Sequence, residues 1–140
     1  MSMPSALVGD LLLICVGLSL EVVFTALTEL PEAKDWRLMG YTYVWMIPIY
    51  ALVYPALSVL YPRLAVYPLL MRAGLYVVLI YVVEYVSGWL IRQATGKCPW
   101  EAGYYKARWG VHGLIRLDFA PAWLAVAFIF ESVYLFLRGS

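Results

Sequence analysis

Leu69-Leu70-Met71-Arg72-Ala73-Gly74-Leu75-Tyr76-Val77-Val78-Leu79-Ile80-Tyr81-Val82-Val83-Glu84-Tyr85-Val86-Ser87-Gly88-Trp89-Leu90-Ile91 carries only two charged side chains, Arg72 and Glu84. A helix needs about 20 mainly apolar residues to cross a hydrocarbon core about 30 Å thick. This stretch meets that length and stops at Arg92-Gln93. Outward from it, three further stretches qualify, from about Ala6 to Thr28, from about Gly40 to Leu60, and from about Leu117 to Leu137. Pro31 with Glu32, Lys34 and Asp35 closes the first, Tyr61-Pro62-Arg63 the second, and Arg138 the last. The expected architecture is all-α: one domain over residues 1–140 with four transmembrane helices. The first stretch lacks a basic leader and contains Glu21, so it is read as a mature helix rather than a cleavable signal. Pro48 and Pro55 in the second span and Pro121 in the fourth predict kinks, since each lacks a backbone donor.

Composition agrees. Of 140 residues, 64% are hydrophobic and 14% charged, whereas a soluble domain is about a quarter charged. Ten Lys and Arg against nine Asp and Glu leave a net charge of +1, with no basic field for nucleic acid. Cys15 and Cys98 are too few for a disulfide scaffold or a zinc site. No metal and no cofactor are implied.

Four spans place both termini and the Tyr61–Pro68 turn on one side. The Leu30–Met39 loop and the long 93–116 loop lie on the other, here called the loop side. Arg63, Arg72 and Arg138 flank the first side, and Lys34, Arg37, Arg92, Lys97, Lys106, Arg108 and Arg116 the loop side. By the positive-inside rule the loops are expected in the cytoplasm and the termini outside.

The halves also look related. Glu21 and Glu84 lie at one depth toward the loop side, and Gly40, Pro48 and Tyr50 line up with Gly113, Pro121 and Trp123. Two spans per unit predict parallel helical hairpins related by a pseudo-twofold axis along the membrane normal.

Several of these motifs, in this order, resemble the transmembrane protein 229 family, whose bacterial relatives bear an ABC-transporter permease label. They are Glu21…Phe24-Thr25; Gly40-Tyr41-Thr42…Trp45…Tyr50; Glu84-Tyr85…Gly88…Arg92; Cys98-Pro99-Trp100; and Gly113-Leu114-Ile115…Leu117. Glu101 departs from the family's Asp, and Ala51 from its Gly. The resemblance implies four spans and a membrane address, and no established activity. No Gly-x-x-x-x-Gly-Lys phosphate loop stands in the chain.

Glu21, Glu84 and Glu131 lie inside spans, where an ionised carboxylate costs at least about 2.5–3.5 kcal/mol. Glu21, Glu84 and Arg92, aided by Arg37 and Arg116, are expected to form one polar cluster reached from the loop side. Glu131 is expected to pair with Arg72 or Arg63. The cluster reads either as an ion or proton site, with two carboxylates sharing a proton, or as interhelical glue. Tyr43, Tyr50, Tyr54 and Tyr61 fall on one helical face, read as packing or as the wall of a solute path. Trp100, Lys106, Arg108, Trp109 and His112 are expected to face lipid headgroups. Three functions follow: a small permease-like protein moving an ion or small solute; a non-catalytic accessory or assembly subunit of a larger membrane complex; or a lipid-headgroup-binding protein or intramembrane lipid enzyme. No catalytic residues are assigned. The expected partners are the lipid bilayer and, because four helices enclose little space, a second copy or other membrane subunits.

Overall fold

The computed structural model describes residues 3–139. Four helical segments are long and apolar enough to cross a membrane: Ala6–Glu32, Met46–Leu64, Leu69–Thr95 and Leu117–Arg138. The elements are α1 (Met3–Ala33), α2 (Met46–Tyr50), α3 (Val53–Leu64), α4 (Leu69–Thr95), α5 (Glu101–Lys106), β1 (Gly110–Val111), β2 (Ile115–Arg116), a 3-10 turn (Leu117–Phe119) and α6 (Ala120–Gly139). The chain forms two compact units, Met1–Pro62 with Phe130–Ser140, and Arg63–Ile129.

Several boundaries differ from the sequence reading. Helix α1 runs through Pro31 and stops where Lys34 turns left-handed (φ 51°), its N–H bonded to Leu30 O at 2.8 Å. Helix α4 gains a turn beyond Ile91, because the residue suited to end it is Gly96. That glycine adopts φ 94° and donates its N–H to the Arg92 carbonyl. Pro62 lies inside the last turn of α3 rather than beyond its end. Pro121 sits in the first turn of α6, where its missing N–H has no carbonyl to serve, so no kink is required there.

The second span is not one helix. Residues 40–45, expected at its start, are non-helical and precede it, and a turn at Ala51-Leu52 separates α2 from α3. Pro55 has no N–H for the Ala51 carbonyl, and Leu52 N–H bonds one residue short, to Ile49 O at 3.1 Å.

In the first unit, α1 packs through small residues against aromatic rings. A Cβ on Gly9 or Gly17 would lie 2.6 Å from the rings of Tyr54 and Tyr50 respectively. Leu13, fully buried, stands between those glycines. With lipid as the surrounding solvent, such close approach replaces the hydrophobic effect as the source of helix association. Tyr50 meets Phe130 edge-on at 5.9 Å, and Tyr54 and Tyr61 meet Tyr134 at 5.6 and 6.0 Å. Such pairs contribute about 0.5–1.5 kcal/mol each beyond their buried area.

The second unit holds an element the all-helical reading missed. The strands of a small antiparallel hairpin pair Gly110 with Arg116 and Val111 with Ile115. His112 and Gly113 both take positive φ (54° and 70°), and Leu114 N–H closes the turn on Val111 O at 3.0 Å. With α5, the hairpin lies along α4 and makes the core of this unit around Cys98 and the fully buried Leu114.

Candidate functional site

The loop-side half of α4 is a ladder. Tyr81, Tyr85, Gly88 and Arg92 recur at spacings of four, three and four, which places them on one helical face. Each meets the 98–117 segment. Tyr81 OH donates to Arg116 O (2.8 Å), and Tyr85 OH lies 2.9 Å from His112 Nδ1. A Cβ on Gly88 would fall within about 3 Å of Leu114, Trp100 and Cys98. Arg92 donates from Nε to Glu101 Oε2 (2.9 Å) and from Nη2 to His112 O (2.9 Å). From Tyr81 to Arg92 the helix climbs about 16 Å. Irregular backbone survives at membrane depth only where protein satisfies its polar groups, and this face does so.

Further bonds complete the module. Trp100 Nε1 donates to Leu114 O (2.9 Å), Tyr104 OH donates to Glu84 Oε1 (2.9 Å), and Glu101 Oε2 also accepts Cys98 N–H (3.2 Å). Burial pushes the Cys98 thiol up to about 11, so it stays protonated at neutral pH.

The cations expected around the glutamates have nearer carboxylates. Arg92 is ion-paired with Glu101 and Arg116 with Asp118. Arg37 forms a two-pronged pair with Asp35 on the exposed loop, which holds the Asp35 carboxyl below its usual range. Two- and nine-residue separations make these pairs easy to close, and the sequence reading passed over them. Arg72 donates to Tyr67 O at 2.7 Å. Glu131 is buried on the α6 face that also carries Phe130 and Tyr134. Trp100 is half-buried and its indole N–H serves the Leu114 carbonyl, while Lys106, Arg108, Trp109 and His112 are exposed.

The first unit builds a second polar site. Tyr50, the last residue of α2 before the Ala51-Leu52 turn, donates its hydroxyl to Glu21 Oε2 at 2.8 Å. Glu21 lies near the middle of the Ala6–Glu32 span, about 16 Å along the helix from Glu32. The chain entering α2 runs along α1. Thr25 Oγ1 accepts Tyr41 N–H (2.8 Å), and Gly40 lies so close to Val22 O that a Cβ would collide with it. Tyr41 OH donates to the Glu29 carboxylate, and that bond raises the Tyr41 hydroxyl above its ordinary range. Asp10, a further carboxylate inside the first span, has a buried Oδ1 with no hydrogen-bond partner among the described residues. A scan for acids within spans finds it directly, and the sequence reading omitted it.

No protein-family model matches this chain, and no solved structure matches it. What the structure defines is a helical protein with four segments able to cross a membrane.

Proposed function

We propose that the chain is a small permease-like membrane protein that binds and moves a proton or small cation at Glu21. The observation that carries this is the interruption of the second span directly after Tyr50, the residue whose hydroxyl holds the Glu21 carboxylate. Helices broken within the membrane free carbonyl oxygens for ions, and transporters place coupling sites at such points. Here Pro55 leaves the Ala51 carbonyl without its helical donor. Glu84, held by Tyr104 of the folded loop, is assigned a structural role. Four spans enclose little space, so the proposal includes a homodimer or a partner subunit.

The repeat belongs to the same proposal. Aligning Glu21 with Glu84 and Gly40 with Gly113 makes Thr25 equivalent to Gly88 and Tyr41 to Leu114. Thr25 touches Tyr41 within the first unit, and Gly88 touches Leu114 within the second, which supports two related halves. Kinship with the transmembrane protein 229 family is part of the same proposal and rests on the sequence motifs, three of which fall in α4 and the loop that follows it.

One observation favours the accessory-subunit reading instead. The polar face of α4 is engaged by the chain's own loop, as expected of a rigid assembly element. Thermal unfolding of purified protein against pH and against sodium, potassium and lithium separates the two. Transport predicts a dependence that Glu21→Gln removes. The same dependence in both proteins, with other subunits retained at fixed stoichiometry, assigns the accessory role.

A further inference from the structure

The basic residues from Arg92 to Arg116 fall into two sets. Arg92 and Arg116 are neutralised by Glu101 and Asp118. Lys97, Lys106 and Arg108 are exposed, and none has a carboxylate partner among the described residues. Lys106 and Arg108 lie between two exposed rings, Tyr105 (61% exposed) and Trp109 (54%).

The backbone holds this run in a fixed shape. Ala107 N–H bonds Tyr104 O at 3.2 Å, Gly110 N–H bonds Ala107 O at 3.2 Å, and Leu117 N–H bonds Trp109 O at 3.0 Å. Gly110 packs so tightly on the Tyr104 carbonyl that no side chain fits there. Tyr105 is fixed on its inner side, its ring against Gly113 and 5.7 Å from the Arg92 guanidinium. Arg108 lies 5.4 Å from the Trp109 ring centroid, which aligns its charge with an aromatic face.

Position decides the partner. One span ends at Thr95 and the next begins at Leu117, so 96–116 joins two spans on one side of the membrane. Tyr and Trp rings settle at the headgroup layer, and unneutralised Lys and Arg beside them face phosphates. We infer that the Tyr105–Trp109 turn is a docking surface for anionic phospholipid headgroups, with Lys106 and Arg108 binding the phosphate and the two rings lying at the glycerol level. This inference is independent of the role of Glu21.

The test uses the full chain in mixed bilayers, with tryptophan fluorescence quenched by brominated phosphatidylglycerol against brominated phosphatidylcholine. A basic residue near the surface strengthens anionic-lipid binding about five-fold, so Lys106→Gln with Arg108→Gln reduces the phosphatidylglycerol preference about 25-fold. The charge-preserving pair Lys106→Arg with Arg108→Lys retains it. If the neutralised pair does not fold, salt dependence of the wild-type preference decides, since headgroup pairing is screened at high ionic strength. Equal affinity for both lipids, a preference unchanged by neutralisation or by salt, or displacement by soluble glycerophosphate as effective as by lipid overturns the inference. So does a preference abolished by co-purifying acidic protein, which makes the surface a subunit contact.

Discussion

Gly88 and Leu114 occupy what is nearly one volume: a Cβ on Gly88 would lie 2.9 Å from Leu114 Cδ2, and Leu114 has no exposed surface. A helix residue without a side chain thus sets how deeply the hairpin seats on α4. Gly88→Val is expected to unseat the hairpin at a cost of about 1–3 kcal/mol, the range for overpacking. Gly74, on the same helix with nothing within 4 Å of its Cβ position, is the control. Gly74→Ala should be neutral or stabilising by up to about 1 kcal/mol. Thermal unfolding in detergent, followed by circular dichroism, compares them.

Arg92 and Glu101 are only partly exposed, at 22% and 18%, and Glu101 also accepts the Cys98 N–H. A double-mutant cycle with Arg92→Gln and Glu101→Gln should return a coupling of about 1.5–3 kcal/mol, as for hydrogen bonds to charged groups. Arg92→Lys should recover little of it, because a single ammonium cannot reach both Glu101 and the His112 carbonyl in the guanidinium's planar arrangement. A coupling near zero contradicts the ladder.

The four spans were legible because apolar length is a one-dimensional property, read without knowing any neighbour. Part of the α4 face was legible too, since Glu84, Gly88 and Arg92 recur at helical spacing. Their partners were not. Cys98-Pro99-Trp100-Glu101 and His112-Gly113-Leu114 become neighbours of α4 only after α5 and the hairpin fold back, and spacing along the chain carries no trace of that. Gly96, which ends α4, was the signal passed over, and Gly113 was read as a repeat landmark rather than as the positive-φ residue that turns the hairpin. In the second span continuous hydropathy hid the late helix start at Met46, and of the two prolines expected to kink it only Pro55 lies beside a break, the Ala51-Leu52 turn, while Pro48 sits in the first turn of α2.

Cys98 titrates at about 11 in the fold against about 9 when unburied, so the folded state holds its proton more tightly. Its contribution to stability is complete below about pH 9 and is lost as the pH rises toward 11. With Cys15→Ser removing the other thiol, Cys98 alkylation should be slow at pH 8 and accelerate through that window. Rapid reaction at pH 8 in folded protein contradicts a buried thiol.

Pro55→Ala restores the donor that the Ala51 carbonyl lacks and should join α2 to α3. In a helix joined across 51–52 position 55 becomes interior, where alanine is favoured over proline by about 3 kcal/mol, so thermal stability should rise. If the interruption serves Glu21, the same substitution should lower flux. A protein both more stable and more active assigns the turn no function.

The most direct measurement is flux through the purified chain in liposomes, with an internal pH dye and imposed proton, sodium or potassium gradients. Transport at Glu21 requires wild-type flux for at least one of these ions, its loss in Glu21→Gln, a reduced rate in Tyr50→Phe, and normal flux in Glu84→Gln, whose amide oxygen still accepts from Tyr104. Absence of flux for all three ions in folded wild-type protein, or flux that Glu21→Gln leaves unchanged, contradicts it.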